Sequence, residues 1–238
     1  MKTRNVFQIM LMMLFLSQSG LSAFAQEGSA KFDLGTDLVS RYVWRGTDFG
    51  NSPAIQPWAT YSNAGFTIGA WGSYSTNSNS MQEADLFVSY DIKEIVTLTV
   101  TDYFFPNGFS AGNNYFEYGQ DSTGHVFEGM LAFNGVDGFP VSIMAAYNFY
   151  GADPDNAFYF ELGYGNTYKD VDYNVFLGAG TGNYYLAGEN SNDFGLVNLG
   201  LSLAKEIQIT DKFSLPVSAS LITNPTAESI FIVFGISL

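Results

Sequence analysis

Apolar and polar residues alternate along most of the chain after residue 26. In the C-terminal segment, Ile230, Ile232 and Phe234 fall on one face, whereas Ser229 and Ser237 fall on the other. A period of two predicts β-strands that are apolar on one face. Twelve segments show it, at residues 31–45, 54–62, 65–75, 83–92, 95–105, 125–133, 139–150, 157–165, 171–182, 195–204, 213–221 and 229–238. Lengths of about 9 to 15 residues suit tilted strands that cross a membrane, since strands of soluble sheets usually have about 5 or 6.

The connections between these segments alternate in length. The long ones, at 46–53, 76–82, 106–124, 151–156, 183–194 and 222–228, are rich in Gly, Asn, Ser, Asp and Pro. Most of the others are tight, with 205–212 as the exception. This asymmetry is typical of outer-membrane barrels, which have long outer loops and short periplasmic turns.

The fold predicted from these patterns is all-β. A soluble β-sandwich also has alternating strands, but twelve long strands with a small or polar second face favour a barrel. We therefore predict a transmembrane, antiparallel, up-and-down β-barrel of about 12 strands. Its first strand must pair with its last, because open strand edges in lipid leave backbone groups without hydrogen bonds.

The first 25 residues have the pattern of a secretory signal peptide. Lys2 and Arg4 precede an apolar stretch of about 11 residues, and Ala23-Phe24-Ala25 fits a signal-peptidase site. A membrane helix needs roughly 20 apolar residues, which disfavours an anchor. We expect a signal peptide at residues 1–25 and an outer-membrane β-barrel at residues 26–238.

The composition excludes several classes of protein. Hydrophobic residues make up 47% of the chain and aromatic ones 17%, which is too apolar for a disordered protein. The absence of cysteine excludes disulfide scaffolds and cysteine zinc sites. Cleavage after Ala25 would remove Lys2 and Arg4 and reduce the 9 basic residues to 7, against 23 acidic ones. Such a chain repels phosphate backbones, so we expect no nucleic-acid partner.

Several charged residues share the polar face of a predicted strand and are therefore expected to face the lumen. A basic residue on the lipid face at mid-depth would cost about 2 to 4 kcal/mol. The predicted pore-lining residues are Asp33, Asp37, Arg41, Arg45, Glu83, Asp85, Glu128 and Glu161. Asp102 has the opposite parity, which places it either above the membrane or beside a bulge.

Arg41 and Arg45 leave two interpretations open. Four residues apart on one strand, they would lie roughly 13 Å from each other and could form a ladder that binds anions. Alternatively, they pair with Asp37, Glu83, Asp85 or another inward acid and fill the lumen, because an unpaired buried charge is costly.

Aromatic residues gather near the ends of the predicted strands, as in the interfacial girdles of membrane barrels. On the loop side these residues are Tyr42, Trp44, Tyr74, Phe104 and Phe149. Loop 106–124 is long enough to fold inward and constrict the lumen. A barrel of this size lies between filled eight-stranded and open sixteen-stranded ones, so an open pore does not follow from strand number.

The residues offer little for catalysis or metal binding. His125 is the single histidine and lies near Ser122, Asp121 and Glu128, a combination that a hydrolase would need. One histidine in a polar loop is weak evidence, so we expect no catalytic residue and no enzyme. The segment Asp153-Pro154-Asp155-Asn156 offers oxygen ligands for calcium, but a Pro/Asp turn explains it equally well. The sequence predicts no metal site and no cofactor.

Residues 38–75 resemble the opening hairpins of the TorF-like porin family. The shared positions are Ser40, Tyr42, Arg45 and Gly46, then Pro53, Ala54, Ile55 and Gln56, then Gly65, Phe66, Gly69 and Trp71. Arg41 and Trp44 depart from the family pattern, in which an acidic residue and a phenylalanine are common. The resemblance implies a bacterial outer-membrane barrel and does not identify a solute.

The leading expectation is a porin-like channel in the bacterial cell outer membrane, through which small, neutral or cationic solutes diffuse passively. The alternative is a closed structural or adhesive barrel whose aromatic loops bind partners or carbohydrate. The expected partners are outer-membrane lipids and lipopolysaccharide, the barrel-assembly machinery and small solutes.

Overall fold

The computed structural model describes residues 30–77, 80–106, 108, 113–120, 122–186 and 193–238. The predicted signal peptide lies outside the described residues. The strands are β1 (Lys31–Val39), β2 (Val43–Trp44), β3 (Thr47–Asp48), β4 (Ala54–Asn63), β5 (Phe66–Ser75), β6 (Glu83–Ile92), β7 (Val96–Phe104), β8 (His125–Phe133), β9 (Val141–Gly151), β10 (Phe158–Tyr168), β11 (Val171–Gly180), β12 (Gly195–Thr210), β13 (Phe213–Asn224) and β14 (Ser229–Ser237). A single helical turn, α1 (Asn183–Leu186), precedes β12. Within the described residues, no helix has the length and apolar character needed to cross a membrane.

Twelve antiparallel strands, β1 and β4 to β14, form a closed barrel, while β2 and β3 form a separate hairpin. The all-β fold and the predicted closed twelve-stranded barrel are therefore confirmed. Closure joins β1 to β14, with Asp37 opposite Ser237. Beyond these pairs, the backbone groups of Thr36 and Leu238 exchange two hydrogen bonds, and the Ser40 N–H donates to the Phe234 carbonyl. These bonds satisfy strand edges that would otherwise remain unpaired.

The two faces of the barrel wall have opposite character. Phe32, Leu34 and Leu98 point outward and are exposed, and Ile232 and Phe234 do so on β14. The inward positions carry many polar and small side chains together with some aromatic ones such as Trp58 and Phe176, and most of them are buried. Strict alternation produces this arrangement because successive side chains of a strand point to opposite faces.

The two ends of the barrel differ in their connections. The short-turn end has links at 64–65, 93–95, 134–140, 169–170 and 211–212, and the long-loop end carries the others. The predicted link at 205–212 is wrong, because β12 continues to Thr210 and only Asp211 and Lys212 separate it from β13. Lys205 therefore lies in a strand, where it pairs with Asp170 at 2.8 Å.

The first predicted strand, residues 31–45, is too long. β1 ends at Val39, and Arg41 and Arg45 lie in the chain that leaves the barrel wall after it. Arg45 and Gly46 have positive φ values of 47° and 78°, which form a tight turn that no continuous strand contains. Tyr42 and Trp44 consequently do not belong to an outward girdle, and Trp44 is buried.

Two described residues of loop 106–124, Tyr115 and Tyr118, pack on the outer side of the wall. Asp102, Phe104 and His125 have the outward parity of their strands, and the registers of β7 with both of its neighbours are unbroken there. Tyr115 and Tyr118 pack against His125, with ring centroids 4.9 Å and 4.4 Å away. This part of the loop thus covers the outer side of the wall and does not constrict the lumen.

The turn between β4 and β5 provides a test of the local backbone. Ala64 and Gly65 have φ values of 50° and 85°, as in a type I′ turn, where an Asn-Gly pair is preferred. We expect Ala64→Asn to raise the free energy of unfolding by about 0.5 to 1 kcal/mol, because the left-handed conformation costs Ala more than Asn. Ala64→Val, the matched control, should lower it. Denaturant unfolding of the refolded barrel measures both, and shifts in the same direction would contradict this assignment.

Candidate functional site, a plug inside the barrel

The hairpin formed by β2 and β3 projects across the lumen and is called the plug here (residues 42–49). Val43 pairs with Asp48, and Trp44 pairs with Thr47. The two-residue loop between them has the backbone of a type I′ turn, which suits the right-handed twist of a short hairpin. β1 and β9 lie on opposite sides of the barrel, and the plug reaches from β1 to the wall around β9.

Arg45 anchors the tip of the plug. Its Nη1 donates to Glu128 Oε2 at 2.5 Å, and its Nη2 donates to Glu128 Oε1 at 3.0 Å. Nη1 also donates to the Tyr185 hydroxyl at 2.6 Å. Only 1% of Arg45 is exposed. Burial of both charges is compensated by the paired hydrogen bonds, which is the geometry that makes a buried ion pair tolerable.

Aromatic rings enclose the same guanidinium group. The rings of Trp44 and Tyr159 each have their centroid 4.4 Å from its central carbon. Trp44 also packs against Tyr103 and Tyr185, at centroid distances of 5.6 Å and 5.9 Å. The Tyr103 hydroxyl donates to Glu128 at 3.1 Å. The negative faces of the rings attract the cation, so the aromatic groups add to the ion pair.

Gly46 allows the tip of the plug to approach β12 closely. A Cβ atom at this position would lie 1.8 Å from the Val197 carbonyl oxygen on β12. Asn224 Nδ2 donates to the Gly46 carbonyl at 3.3 Å. The positive φ and the close approach each favour glycine, so the tip has little freedom to shift within the lumen.

The base of the plug is held by Arg41. This side chain pairs with Asp48 and donates to Asn51 Oδ1 at 3.0 Å. Tyr42 packs between Trp71 and Phe49, with both centroids 5.4 Å away. Arg41 therefore braces the hairpin and does not line the wall.

The two interpretations of the arginines are now distinguished. No anion ladder forms, because Arg41 and Arg45 lie on a hairpin and each pairs with an acid. For Arg45 the partner is an inward acid of the wall, as the second interpretation required. For Arg41 it is Asp48, a residue of the plug itself.

The other predicted lumen residues have the inward parity of their strands. Asp33 pairs with Lys31 at 2.7 Å near the short-turn end. Glu161 accepts a hydrogen bond from Asn198 Nδ2 at 2.9 Å and another from the Tyr159 hydroxyl. The remaining acids of this set are buried within the barrel: Asp37, Glu83, Asp85 and Glu128. The interior beside the plug is therefore acidic.

The lumen toward the short-turn end is lined by small side chains on one side. Inward positions of β12, β13 and β14 carry small residues there, namely Ser202, Ala204, Ser218, Ser220, Gly235 and Ser237. Ser218 is exposed although it faces inward. Solvent therefore enters this part of the barrel, whereas the plug fills the part toward the long loops.

His125 lies away from the lumen, buried beneath loop 106–124. Its Nδ1 is 2.7 Å from Asp102 Oδ1, and its Nε2 is 2.7 Å from the Tyr115 carbonyl oxygen. The Ser122 hydroxyl donates to Glu117. The Gly119 N–H and this hydroxyl hold the pKa of the Glu117 carboxyl below its usual value. The histidine thus fastens the loop to the wall, and no serine hydroxyl of the described residues is hydrogen-bonded to its ring.

The Asp153 segment adopts the turn that was one of its two interpretations. The Asp153 carboxylate accepts hydrogen bonds from the backbone N–H groups of Asp155 and Ala157, at 3.1 Å and 2.7 Å. Asn148 Nδ2 donates to it at 2.8 Å. Among the described residues, no group of three or more potential metal-ligating side chains is assembled.

Sequence reasoning identified Arg45 and Glu128 but missed the aromatic part of the site. Tyr103, Tyr159 and Tyr185 lie on separate elements, and no spacing in the sequence connects them. The one local signal was the Arg45-Gly46 pair, since glycine beside a polar residue favours a turn.

The sequence matches the family Gcw_chp, described as a bacterial protein of unknown function, over residues 25–218. No curated protein matches the chain. The matched range includes the plug and Glu128.

The Arg45–Glu128 pair predicts a strongly coupled pair of substitutions. Arg45→Met alone should lower the free energy of unfolding by about 3 to 5 kcal/mol, because it leaves a buried carboxylate without its partner. Arg45→Met with Glu128→Leu should recover most of this loss. Denaturant unfolding of the native protein, Arg45→Met, Glu128→Leu and the double variant measures the coupling energy.

The control for this cycle is the exposed pair of Lys205 and Asp170, where Lys205→Met should cost no more than about 1 kcal/mol. The assigned pair does not stabilise the plug if the losses in the free energy of unfolding caused by Arg45→Met and Glu128→Leu simply add, so that the double variant recovers no stability.

Proposed function

The chain belongs to the Gcw_chp family of bacterial proteins of unknown function, and we propose that it is a porin-like channel of the outer membrane whose lumen is closed by the plug. The observation that carries the proposal is the contrast between the two parts of the lumen. The plug fills one part, and the other is lined by small side chains and reached by solvent. Movement of a single hairpin would connect them.

The outer surface of the barrel supports a membrane location. Its mid-strand positions expose apolar side chains such as Leu86, Val100 and Leu131. In water this surface would be costly, whereas in lipid it matches the hydrocarbon. Closure of the sheet also pairs the edges of β1 and β14 over residues 36–40 and 234–238, in keeping with the need of lipid-exposed strands for hydrogen-bonded edges. The signal-peptide pattern at residues 1–25 supports export across the inner membrane.

The resemblance to TorF-like porins supports the same proposal. Its Arg45-Gly46 pair forms the turn of the plug, and its Tyr42 packs at the base. Trp71 of the same pattern is the ring against which Tyr42 packs. The residues shared with the TorF-like pattern therefore include those that form the plug and the ring that packs against its base.

The solutes that we propose are small and neutral or cationic. Glu128 neutralises Arg45, and three further acids, Asp37, Glu83 and Asp85, are buried in the interior of the barrel. Carboxyl groups that line a pore favour cations and repel anions. We propose no catalytic step.

A closed structural barrel is the second candidate, and one observation favours it. The plug is packed as tightly as a protein core, with Arg45, Tyr103 and Tyr159 almost completely buried. If the plug never moves, the exposed aromatic loop residues, such as Phe116, would provide the function by contacting a partner or carbohydrate.

The membrane-facing surface is tested by placing a charge on it. Val100→Arg, on the outward face near the middle of β7, should cost about 2 to 4 kcal/mol in lipid vesicles. Ser218→Arg, the control, places the same charge at an inward and solvent-accessible position and should cost much less. Equal losses in the two unfolding experiments would contradict a membrane-spanning barrel.

The channel itself is tested by conductance of the refolded protein in a planar bilayer. We expect infrequent or small current steps from the native protein and more frequent ones from Arg45→Met, since each 1.4 kcal/mol removed from plug docking raises the open fraction about tenfold. A salt gradient should show cation preference. Lys205→Met should behave like the native protein. Silence from Arg45→Met, when it is folded and inserted, would support the closed structural barrel instead.

A further inference from the structure

The groups that hold the Arg45 side chain form a pocket, and most of them are not part of the plug. Glu128 belongs to β8, Tyr103 to β7, Tyr159 to β10 and Tyr185 to α1. All four are nearly or completely buried around the guanidinium group. We call these four residues the guanidinium pocket. Glu128, Tyr103 and Tyr159 belong to strands of the wall and would remain in place if the hairpin withdrew.

The hydrogen bonds of the pocket suit a planar, forked cation. The two carboxylate oxygens of Glu128 meet two different nitrogen atoms of Arg45, at 2.5 Å and 3.0 Å. The Tyr185 hydroxyl meets one of these nitrogens from another direction. A guanidinium offers donors at this spacing, whereas an ammonium presents a single, strongly hydrated nitrogen.

The ring of Tyr159 adds a flat surface beside this fork. Its centroid lies 4.4 Å from the central carbon of the guanidinium group. A planar cation stacks on such a ring and loses less hydration on burial than an ammonium does. The pocket therefore selects by shape as well as by charge.

We propose that the guanidinium pocket is a binding site for small solutes that carry a guanidinium group, and that Arg45 occupies it as an internal ligand. This inference rests on the proposed channel and names the class of solute that competes with the plug. A solute that takes the place of Arg45 releases the tip of the hairpin from Glu128, Tyr159 and Tyr185. The plug is thereby displaced by the solute that the barrel admits.

Competition with the plug determines the concentration at which a solute acts. A short tether gives the attached ligand an effective concentration of the order of millimolar. Free solute must therefore reach about this range to displace Arg45 from the native protein. Removal of the Arg45 side chain abolishes the competition and should reveal tighter binding.

The test uses Arg45→Gly in the full barrel. Glycine adopts the positive φ of this position without strain, so the turn is retained while the pocket is emptied. Methylguanidinium is the probe, and calorimetry on the folded protein measures its binding. We expect it to bind Arg45→Gly at least tenfold more tightly than the native protein, in keeping with the tethered competitor.

Two further substitutions in the Arg45→Gly background identify the site. Glu128→Gln should weaken methylguanidinium binding by about tenfold or more, because the charged partner is lost. Tyr159→Leu should weaken it severalfold, whereas Tyr159→Phe keeps the ring and should bind as before. Methylammonium, which has the same charge and no fork, should bind at least about tenfold more weakly than methylguanidinium.

The outcomes separate this inference from the proposed channel. Equal binding of the two cations, or no binding of methylguanidinium to folded Arg45→Gly, overturns the guanidinium pocket even if the protein conducts. Selective binding by a barrel that is silent in the bilayer upholds the pocket and refutes the channel. If Arg45→Gly fails to fold, Arg45→Lys replaces it, and methylguanidinium should then compete at lower concentration than in the native protein.

Discussion

The burial of one positive charge in the lumen determines how the interior of this barrel is organised. Arg45 has almost no contact with water, so its charge requires a carboxylate, and Glu128 provides both oxygens. Because β8 lies across the barrel from β1, this pair draws the hairpin from one wall to the other. The Trp44 and Tyr159 rings then have a fixed cation to pack against. The position of the plug thus follows from the need of a charge that is buried away from water for a charged partner.

The barrel wall could be predicted from the sequence because a strand that is half buried repeats every two residues. β6 and β8 have the bounds that the alternation indicates, and most other strands differ by only a few residues at their ends. The inward parity of Glu128 and Glu161 followed from the same rule. Asp102 also obeys it, since it faces outward and finds a partner in His125 beneath the loop.

The plug could not be predicted in this way, because alternation persists where the chain has already left the wall. Tyr42 and Trp44 keep the parity of β1, yet they pack inside the barrel. What ends the strand is a set of tertiary contacts: the Ser40 hydroxyl accepts the Phe234 N–H, and Arg45 reaches a carboxylate 83 residues away. Neither contact has a local signature. The position of Tyr115 on the outer side of the wall has no local signature either, since it depends on contacts with the ring of His125.

A buried ion pair is a suitable element for a closure that must open. Its stability is a small difference between a large desolvation cost and a large attraction, so a modest change in partners changes the balance strongly. An apolar plug of the same size would lack this sensitivity, because any small solute leaves its hydrophobic contacts unchanged. The Glu128 carboxylate keeps its need for a cation whichever molecule supplies it, and the rings of Tyr103 and Tyr159 remain on the wall beside it. In the channel that we propose, closure and recognition depend on the same few atoms, which would link the solute that binds to the state of the lumen.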